Sequence, residues 1–311
     1  MPIDTPLVLA LPGNEELALD LAQSLAAKLG RLTLHRFPDG ELSVRIHDQV
    51  EARDVVLACT LDQPNDKLIA LYLAAATLRS LRARRVLLAA PYLAYMRQDR
   101  SFHPGEGVSA AHIAQWLSGF LDGLATVDPH LHRIAQLELV YRIPCRAAHA
   151  ATAIARWIRE NVNQPVVVGP DRESQGWASE VAHEVSCPWV VFDKVRFGDR
   201  DVEIHPSSLS AYQDRTPVIL DDIISSGATM LAAMRQTRLA SLAPAVCIGV
   251  HGLFTAGVYE QLRHGGAQAV VTSNSVRHIS NQIDVHPPLA TAVRGLLELR
   301  PEAAKPNGGG H

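Results

Sequence analysis

Short apolar runs alternate along this chain with longer segments whose apolar residues recur at helical spacing. In the first half the apolar runs occupy residues 7–11, 32–37, 43–46, 55–59, 85–90 and 123–127. Helical spacing lies between them, at residues 17–29, 66–81 and 109–120. The first of these segments has a leucine at every fourth position from Leu17 to Leu29 and is closed by Gly30. Brief, continuous apolar runs are typical of buried strands, so this half is predicted to alternate strands with helices.

The same alternation restarts after residue 145. Strand-like runs occupy residues 166–168, 189–192, 218–220, 246–250 and 269–272, and helix-like segments occupy 148–161, 174–185 and 230–240. Alternation of this kind predicts parallel strands joined by helical crossovers. We therefore expect an α/β protein with two similar domains, each a mainly parallel sheet flanked by helices, at residues 1–145 and 146–300. We expect the glycine-rich tail, 301–311, to be disordered.

Composition narrows the classes of protein that the chain can belong to. A length of 311 residues suits two domains of ordinary size, and 47% hydrophobic with 20% charged residues is usual for a globular protein. A net charge of −3 gives no overall basic surface for nucleic acid. Four scattered cysteines without a C-x-x-C pair favour reduced thiols over disulfides or zinc. No apolar run has membrane-spanning length and no signal peptide is evident, so we expect a cytoplasmic protein without a membrane partner.

One stretch, 217–229, carries the most specific chemistry. Its apolar run ends on two adjacent aspartates and continues into a small, hydroxyl-rich turn: Asp221, Asp222, Ser225, Ser226, Gly227, Ala228 and Thr229. Open α/β sheets bind ligands at the carboxyl ends of strands, and the unpaired amides that open the next helix suit a phosphate. The hydroxyls can donate to it, and the aspartates could hold sugar hydroxyls or a Mg²⁺-bound ligand. An ordinary strand followed by a polar helix cap is the alternative.

Three polar stretches of the first half adjoin predicted strands. Phe37-Pro38-Asp39-Gly40-Glu41 on its own predicts a hairpin turn, for which Pro-Asp-Gly is suitable. Two arginines, Arg97 and Arg100, flank Gln98 and Asp99 after a buried strand and can grip a polyphosphate or recognise a base edge, although a solvated charge run is the alternative. His130 and His132, close to Asp128, make a metal role plausible without specifying it.

Two stretches of the second half complete the set. Asp171 follows a strand and precedes a helix, where an acid is also common for the helix start alone. Lys194 and Arg196 alternate with apolar residues, so in a strand they would share one face and reach a transferring phosphate together. The Asp, Arg and Gly residues that flank them favour a mobile flap.

In family order, these six stretches resemble the motifs of the ribose-phosphate diphosphokinases, also called PRPP synthetases, and the resemblance extends to about residue 292. It implies domains of the phosphoribosyltransferase type. It also implies transfer of the β,γ-diphosphoryl group of MgATP to the C1 hydroxyl of ribose 5-phosphate, for nucleotide biosynthesis. The loops at 128–132, 169–174 and 225–229 depart from the regulated bacterial and mammalian pattern, and the first two are closer to archaeal-type members.

The resemblance also implies a role for each candidate residue. ATP would be bound by Phe37, Asp39, Gly40, Glu41, Arg97 and Gln98. Magnesium would be held by His130 and Asp171, ribose 5-phosphate by Asp221, Asp222 and the loop 225–229, and Lys194 with Arg196 would be catalytic. The family takes its ATP loop from a neighbouring subunit, so at least a homodimer is expected.

Two other functions remain open from the sequence. A phosphoribosyltransferase that consumes PRPP would share the loop at 225–229 but would not need the ATP motifs. A regulatory subunit without activity would be expected to have lost residues such as Lys194 or His130, which are present.

Overall fold

The protein is described here from a computed structural model. It covers residues 5–101, 103–131, 133–192, 195–196, 202–203 and 209–299, with the backbone alone at 195–196 and 202–203. The predicted disordered tail, 301–311, lies outside this part of the chain. None of the helices in the covered ranges combines the length and the apolarity that crossing a membrane requires.

Each half of the chain supplies one main sheet. The elements of the first half are β1 (Leu7–Ala10), α1 (Glu15–Ser24), β2 (Lys28–Leu29), β3 (Leu32–Arg36), β4 (Leu42–Ile46), β5 (Asp54–Ala58), α2 (Pro64–Ser80), β6 (Arg85–Ala90), α3 (Ser109–Ser118), β7 (Gly123–Val127) and β8 (Cys145–Ala148). Their sheet has the order β2-β1-β5-β6-β7-β8, and every pair in it is parallel. Strands β3 and β4 form a separate antiparallel hairpin.

The second half repeats this arrangement. Its elements are α4 (Ala151–Asn161), β9 (Pro165–Gly169), α5 (Gln175–Val185), β10 (Trp189–Val191), β11 (Val195–Arg196), β12 (Val202–Glu203), β13 (Thr216–Ile224), α6 (Ala228–Leu239), β14 (Val246–Gly252), α7 (Val258–His264), β15 (Ala269–Ser273), β16 (Asn281–Ile283) and α8 (His286–Glu298). The sheet order is β10-β9-β13-β14-β15-β16, again parallel throughout, and β11 with β12 forms a separate antiparallel ribbon. The predicted α/β fold with two similar parallel sheets is confirmed.

The two halves exchange their last helices. Helix α4 follows the last strand of the first sheet but packs on α5 and β16, whereas α8 follows the last strand of the second sheet and packs on β7, β8 and α1. One buried cluster consequently contains Leu21 and Val127 together with Ile154, Val218 and Leu289. The domain limits of 145 and 300 stay a prediction, and this shared core means that neither half is closed by its own helices alone.

A buried arginine fixes the end of the exchanged helix α8. The guanidinium of Arg85 binds the Asp54 carboxylate through two contacts, Nε to Oδ1 at 3.1 Å and Nη2 to Oδ2 at 2.6 Å. It also donates to the carbonyls of Leu296, Leu297 and Leu299, at 3.1, 2.8 and 2.7 Å. Leu296 and Leu297 belong to the last turn of α8 and Leu299 is its C-cap, where a helix leaves its last carbonyls without partners inside the helix. A charge pair in the first sheet therefore caps a helix of the second half.

Several predicted boundaries were wrong. Helix α1 ends at Ser24 instead of continuing to Gly30, because Ala26 adopts φ +49° and the amide of Ala27 bonds to the carbonyl of Ala22, a Schellman ending. Leu29, the last leucine of the repeat, instead pairs with β1 and is 44% exposed. Helix α4 begins at Ala151 instead of residue 148, since Ala148 belongs to β8. The strands β8 and β16 and the helices α7 and α8 were not predicted.

Candidate active site

A polar pocket lies at the carboxyl ends of β9 and β13, where loops of the first half reach the second sheet. It encloses about 180 Å³, below the range of about 300–1,000 Å³ for whole-ligand pockets, so it suits one small polar ligand. Residues of the second half form most of the wall: Asp171, Glu173, Ser174, Trp177 and residues 221–230. The first half contributes Arg97 and His130.

The floor of this pocket is the turn between β13 and α6. Gly227 has φ +72°, and a Cβ atom there would stand 2.7 Å from Cγ1 of Val258, so glycine is required for conformation and for space. Helix α6 begins at the next residue, Ala228, with its first amides lacking helical acceptors. Ser225, Ser226 and Thr229 line the same pocket. The predicted hydroxyl-rich loop is thus assembled at a helix N-terminus, where an anion is favoured.

Strand β13 is longer than predicted. We expected the strand to end at residue 220, but it continues through Asp221 and Asp222 to Ile224 because its pairing with β14 continues as far as Gly252. Both aspartates are therefore held by the sheet instead of a loop. Burial raises the pKa of Asp221 well above its usual range, and the negative charges of Asp222 and Asp171 raise it further.

His130 joins the two halves at the pocket. Its Nδ1 lies 2.6 Å from Oδ2 of Asp222, and the two side chains are 19% and 13% exposed. His130 follows β7 of the first sheet, whereas Asp222 belongs to β13 of the second. The contact brings together two residues that the sequence placed in separate motifs. His132, the second histidine of that motif, lies outside the described residues.

Asp171 occupies the position of a helix cap. Its Oδ1 accepts from the amide of Ser174 at 3.2 Å, and its own amide donates to Oγ of Ser174 at 3.3 Å, so the pair forms a capping box at the short 3-10 helix Arg172–Ser174. The alternative of a helix-start acid is therefore observed, and the same residue also lines the pocket. Trp177, in the first turn of α5, lines the pocket as well and was not predicted; its only signal was an aromatic residue shortly after the Asp171 loop.

Arg97 and Gln98 are placed differently from each other. Arg97 is exposed at the pocket and makes no ion pair with any described residue. The side-chain oxygen of Gln98 instead accepts a hydrogen bond from Oγ of Ser109 at 2.6 Å, and the main-chain carbonyl of Gln98 accepts from the amide of Ala110 at 3.2 Å. Gln98 thus binds the loop to the start of α3, and only Arg97 of these two residues lines the pocket.

Of the remaining predicted residues, those at 37–41 are described, and they do not line this pocket within one chain. Residues 37–41 form the turn of the β3–β4 hairpin, with the amide of Phe37 bonded to the carbonyl of Glu41 at 2.8 Å and Gly40 at φ +94°. The hairpin turn is confirmed, Asp39 accepts from the amide of Glu41, and Phe37 is 42% exposed. Lys194 lies outside the described residues. Arg196 is known only as the backbone of β11, paired with Val202.

The chemistry of the pocket fits a magnesium–phosphate complex. Among the described residues, no group of three or more histidine, cysteine, aspartate or glutamate side chains forms a preassembled metal site. Mg²⁺ does not need one, because it is bound through one or two carboxylates together with substrate phosphates and water. Burial and the negative charges of Asp222 and Asp171 raise the pKa of Asp221, and a bound cation would offset both effects; the loop at 225–229 supplies phosphate donors beside it.

Two parallel sheets of identical strand order, with an acidic strand leading into a turn at a helix N-terminus, define an α/β protein with its ligand site at the carboxyl ends of the strands. Comparison with known proteins is more specific. Residues 7–120 match the family described as the N-terminal domain of ribose phosphate pyrophosphokinase, and residues 137–287 match the phosphoribosyl transferase domain.

Curated relatives extend this match over nearly the whole chain. A ribose-phosphate pyrophosphokinase of Methanopyrus kandleri is 32% identical over 292 residues, which is 93% of this chain and 99% of the relative. One of Saccharolobus solfataricus is 33% identical over 82% of this chain and 88% of the relative. The chain therefore belongs to the ribose-phosphate pyrophosphokinase family, with archaeal relatives as its motifs indicated. The phosphoribosylpyrophosphate synthetase of Mycobacterium smegmatis shares the fold, with a TM-score of 0.80 at 23% identity over 95% of this chain and 99% of that one.

Proposed function

We propose that this protein is a ribose-phosphate diphosphokinase, which transfers the β,γ-diphosphoryl group of MgATP to the C1 hydroxyl of ribose 5-phosphate and releases AMP. Its product, PRPP, would supply nucleotide biosynthesis. The observation that carries the proposal is a pocket built by both halves, in which Arg97 and His130 of the first half face the phosphate loop of the second. A transferase that consumes PRPP would need the second half alone, whereas the match to the family extends through the first.

In the proposed reaction the sugar phosphate occupies the small pocket. The amides at the start of α6 and the hydroxyls of Ser225, Ser226 and Thr229 hold the 5-phosphate, and Asp221 and Asp222 lie beside it as acceptors for sugar hydroxyls. Such anchoring directs the C1 hydroxyl toward the diphosphoryl donor and supplies the alignment on which phosphoryl transfer depends.

The donor nucleotide is assigned to the surface beside Arg97, outside the volume that the sugar phosphate fills. Arg97 supplies a fixed positive charge for its phosphates, and His130 and Asp171 are the proposed residues for holding Mg²⁺ on them. Bound Mg²⁺ would neutralise charge on the phosphate oxygens. Lys194 and Arg196 are proposed to stabilise the charge that develops on the transferring group.

One chain alone leaves the proposed ATP site incomplete. The turn at 37–41, with its exposed Phe37, does not line the pocket, so we propose that a second copy of the chain supplies it. This makes the active form at least a homodimer. The cytoplasm remains the predicted location.

The reaction is tested by incubating the protein with ATP, Mg²⁺ and ribose 5-phosphate and following AMP and PRPP by ³¹P resonance. Equal amounts of the two products support the diphosphokinase. Consumption of added PRPP in the presence of a free base, without AMP formation, would identify a transferase. ATP binding without turnover would identify a regulatory subunit.

Subunit sharing is tested by mixing two inactive variants. Phe37→Ala removes the donated loop residue and Arg97→Ala removes a residue of the recipient pocket. If the two belong to one site built from two chains, mixed oligomers contain some intact sites, and about a quarter of the activity returns on random pairing of dimers. A mixture that stays inactive although the subunits exchange would mean that each chain builds its own site.

A further inference from the structure

One histidine of the second half touches the loop that presents His130. His251, near the end of β14, is 1% exposed, and its ring packs against Tyr92 of the first half with 5.0 Å between ring centroids. Its Nε2 lies 3.2 Å from the main-chain oxygen of Asp128, and its Nδ1 lies 2.8 Å from Oγ of Ser275. His251 therefore bridges the halves behind the pocket and does not line it.

The hydrogen bonds determine the form of the ring. A carbonyl oxygen can only accept, so the proton is on Nε2, and Nδ1 accepts from the hydroxyl of Ser275. Burial lowers the pKa of His251 to about 4, which keeps the imidazole neutral at physiological pH. Both nitrogens are thus satisfied, and each contact has one donor and one acceptor.

Asp128 is the residue where the His130 loop leaves the sheet, and both its side chain and its main chain are held, with its own amide donating to the carbonyl of Ala148 at 3.0 Å. Its φ of +34° is unusual for a residue with a side chain, so the surroundings must hold this conformation. On one side its carboxylate accepts from the amide of Ala150 at 2.7 Å and lies 3.0 Å from Nδ1 of His149. On the other side its carbonyl accepts from His251. Two residues further on, His130 meets Asp222.

We propose that His251 is a positioning residue, whose Nε2–H holds the Asp128 carbonyl and thereby sets His130 against Asp222 across the two halves. The proposal rests on the function proposed above, because the reaction measured in its test is that one. Its main effect is expected on the donor side of the site, because Asp128 leads into the loop that presents His130, whereas the phosphate loop at 225–229 follows β13.

Two amide substitutions separate the two contacts of the ring. In His251→Gln the amide nitrogen reaches about as far as Nε2 and can still donate to Asp128. In His251→Asn the shorter amide reaches about as far as Nδ1 and can contact Ser275 only. Both variants place one amide at the same buried position, so their melting temperatures should fall by similar amounts. Their effects on the active site should differ.

The two variants should differ in their kinetics with MgATP, and neither should differ much from the wild type in its KM for ribose 5-phosphate. His251→Asn should lower kcat/KM for MgATP by roughly ten- to a hundredfold, the scale for a misplaced site group, while the KM for ribose 5-phosphate changes less than about threefold. His251→Gln should recover kcat/KM to within about threefold of the wild type. Calorimetric binding of the magnesium complex of a nonhydrolysable ATP analogue should weaken in the asparagine variant and recover in the glutamine variant.

Ser275→Ala is the matched control, because it removes the other partner of the ring and leaves the Asp128 contact in place. It should lower the melting temperature but keep analogue binding within about threefold. Equal binding by the asparagine and glutamine variants, or an equal loss of ribose 5-phosphate affinity, would overturn the proposal. If the wild type forms no AMP, the proposed function fails, while the binding comparison still decides the role of His251.

Discussion

Replacing Arg85 with methionine removes the side chain that ties helix α8 to the first sheet. The substitution keeps much of the aliphatic stem but deletes two hydrogen bonds to Asp54 and three to the last carbonyls of α8. Asp54 is 4% exposed, so its carboxylate would remain buried, with the guanidinium of Arg84 still bound to it on one side. The cost therefore comes mainly from groups that lose their partner in a place that water reaches poorly.

Breaking a buried ion pair from one side costs about 3–5 kcal/mol. With a whole-protein stability of about 5–15 kcal/mol, that is a large share of the total. At about 2–4 °C per kcal/mol, the melting temperature should fall by about 6–20 °C. Arg84→Met is the matched control: it also binds Asp54, at 2.7 Å, but its side chain is 38% exposed, so we expect a loss of about 1 kcal/mol or less.

Urea unfolding followed by circular dichroism measures both variants. A free energy of unfolding for Arg85→Met within 1 kcal/mol of that for Arg84→Met would refute the argument. Adding Asp54→Asn to Arg85→Met supplies a second check. If a stranded charge causes the loss, the double variant should be more stable than Arg85→Met, whereas Asp54→Asn alone should destabilise the wild type.

The same pair gives a pH dependence with a definite sign. Burial would raise the pKa of Asp54, but hydrogen bonds from Arg85 and Arg84 outweigh it and leave the pKa below its usual value. A lowered folded-state pKa stabilises the protein above the unfolded value of about 3.9, and this contribution is lost as the pH falls through the folded value. In Arg85→Met the pKa of the Asp54 carboxyl should rise, so less stability is lost on acidification, and the difference in stability between the variant and the wild type should narrow as the pH falls.

Further predictions concern the pocket. Gly227→Ala should raise the KM for ribose 5-phosphate at least tenfold, because the residue has a positive φ and the new Cβ would stand 2.7 Å from Val258. Gly257→Ala is the control: Gly257 also has a positive φ, +78°, but the space around its Cβ position is open. That variant should lose about 1–3 kcal/mol of stability and keep the KM for ribose 5-phosphate unchanged. Equal KM values in steady-state assays of the two variants would contradict this. Lys194→Ala should lower turnover by roughly two to three orders of magnitude, and a loss below threefold would remove Lys194 from the mechanism.

The central strands could be predicted from sequence because parallel strands covered on both faces are continuous apolar runs, as in β5 and β6, whose residues are all buried. Of the edge strands, β10 was predicted as the apolar run 189–192, but β8 and β16 were not. Cys145–Ala148 contains an arginine and two alanines, and Asn281–Ile283 is mostly polar, since an edge strand has less surface to bury. The helix exchange could not be predicted either, because an amphipathic pattern shows that a helix covers a sheet but does not show which of the two sheets it covers.

For the site, the sequence predicted which loops carry functional residues but not which residues of the two halves contact each other. Asp171, Arg97, His130 and the residues of the β13–α6 turn do meet in one pocket. The contact between His130 and Asp222 joins residues 92 positions apart, and nothing in either motif specifies it. His251 was missed for a related reason: a single histidine within an apolar strand is indistinguishable from a core residue until its cross-domain partner is known.

The exchanged helix α8 also determines when the protein can finish folding as it is synthesised. Domains generally fold from the N-terminus as they leave the ribosome. Here the side chains that cover β7 and β8, among them Leu289, Val293 and Leu296, come from a helix that is translated long after those strands. The apolar face of the first sheet therefore stays exposed while more than a hundred further residues are translated, at about 5–20 residues per second. A premature stop in the second half would leave that face bare, so a truncated chain would be a substrate for chaperones and proteases instead of a working half-enzyme.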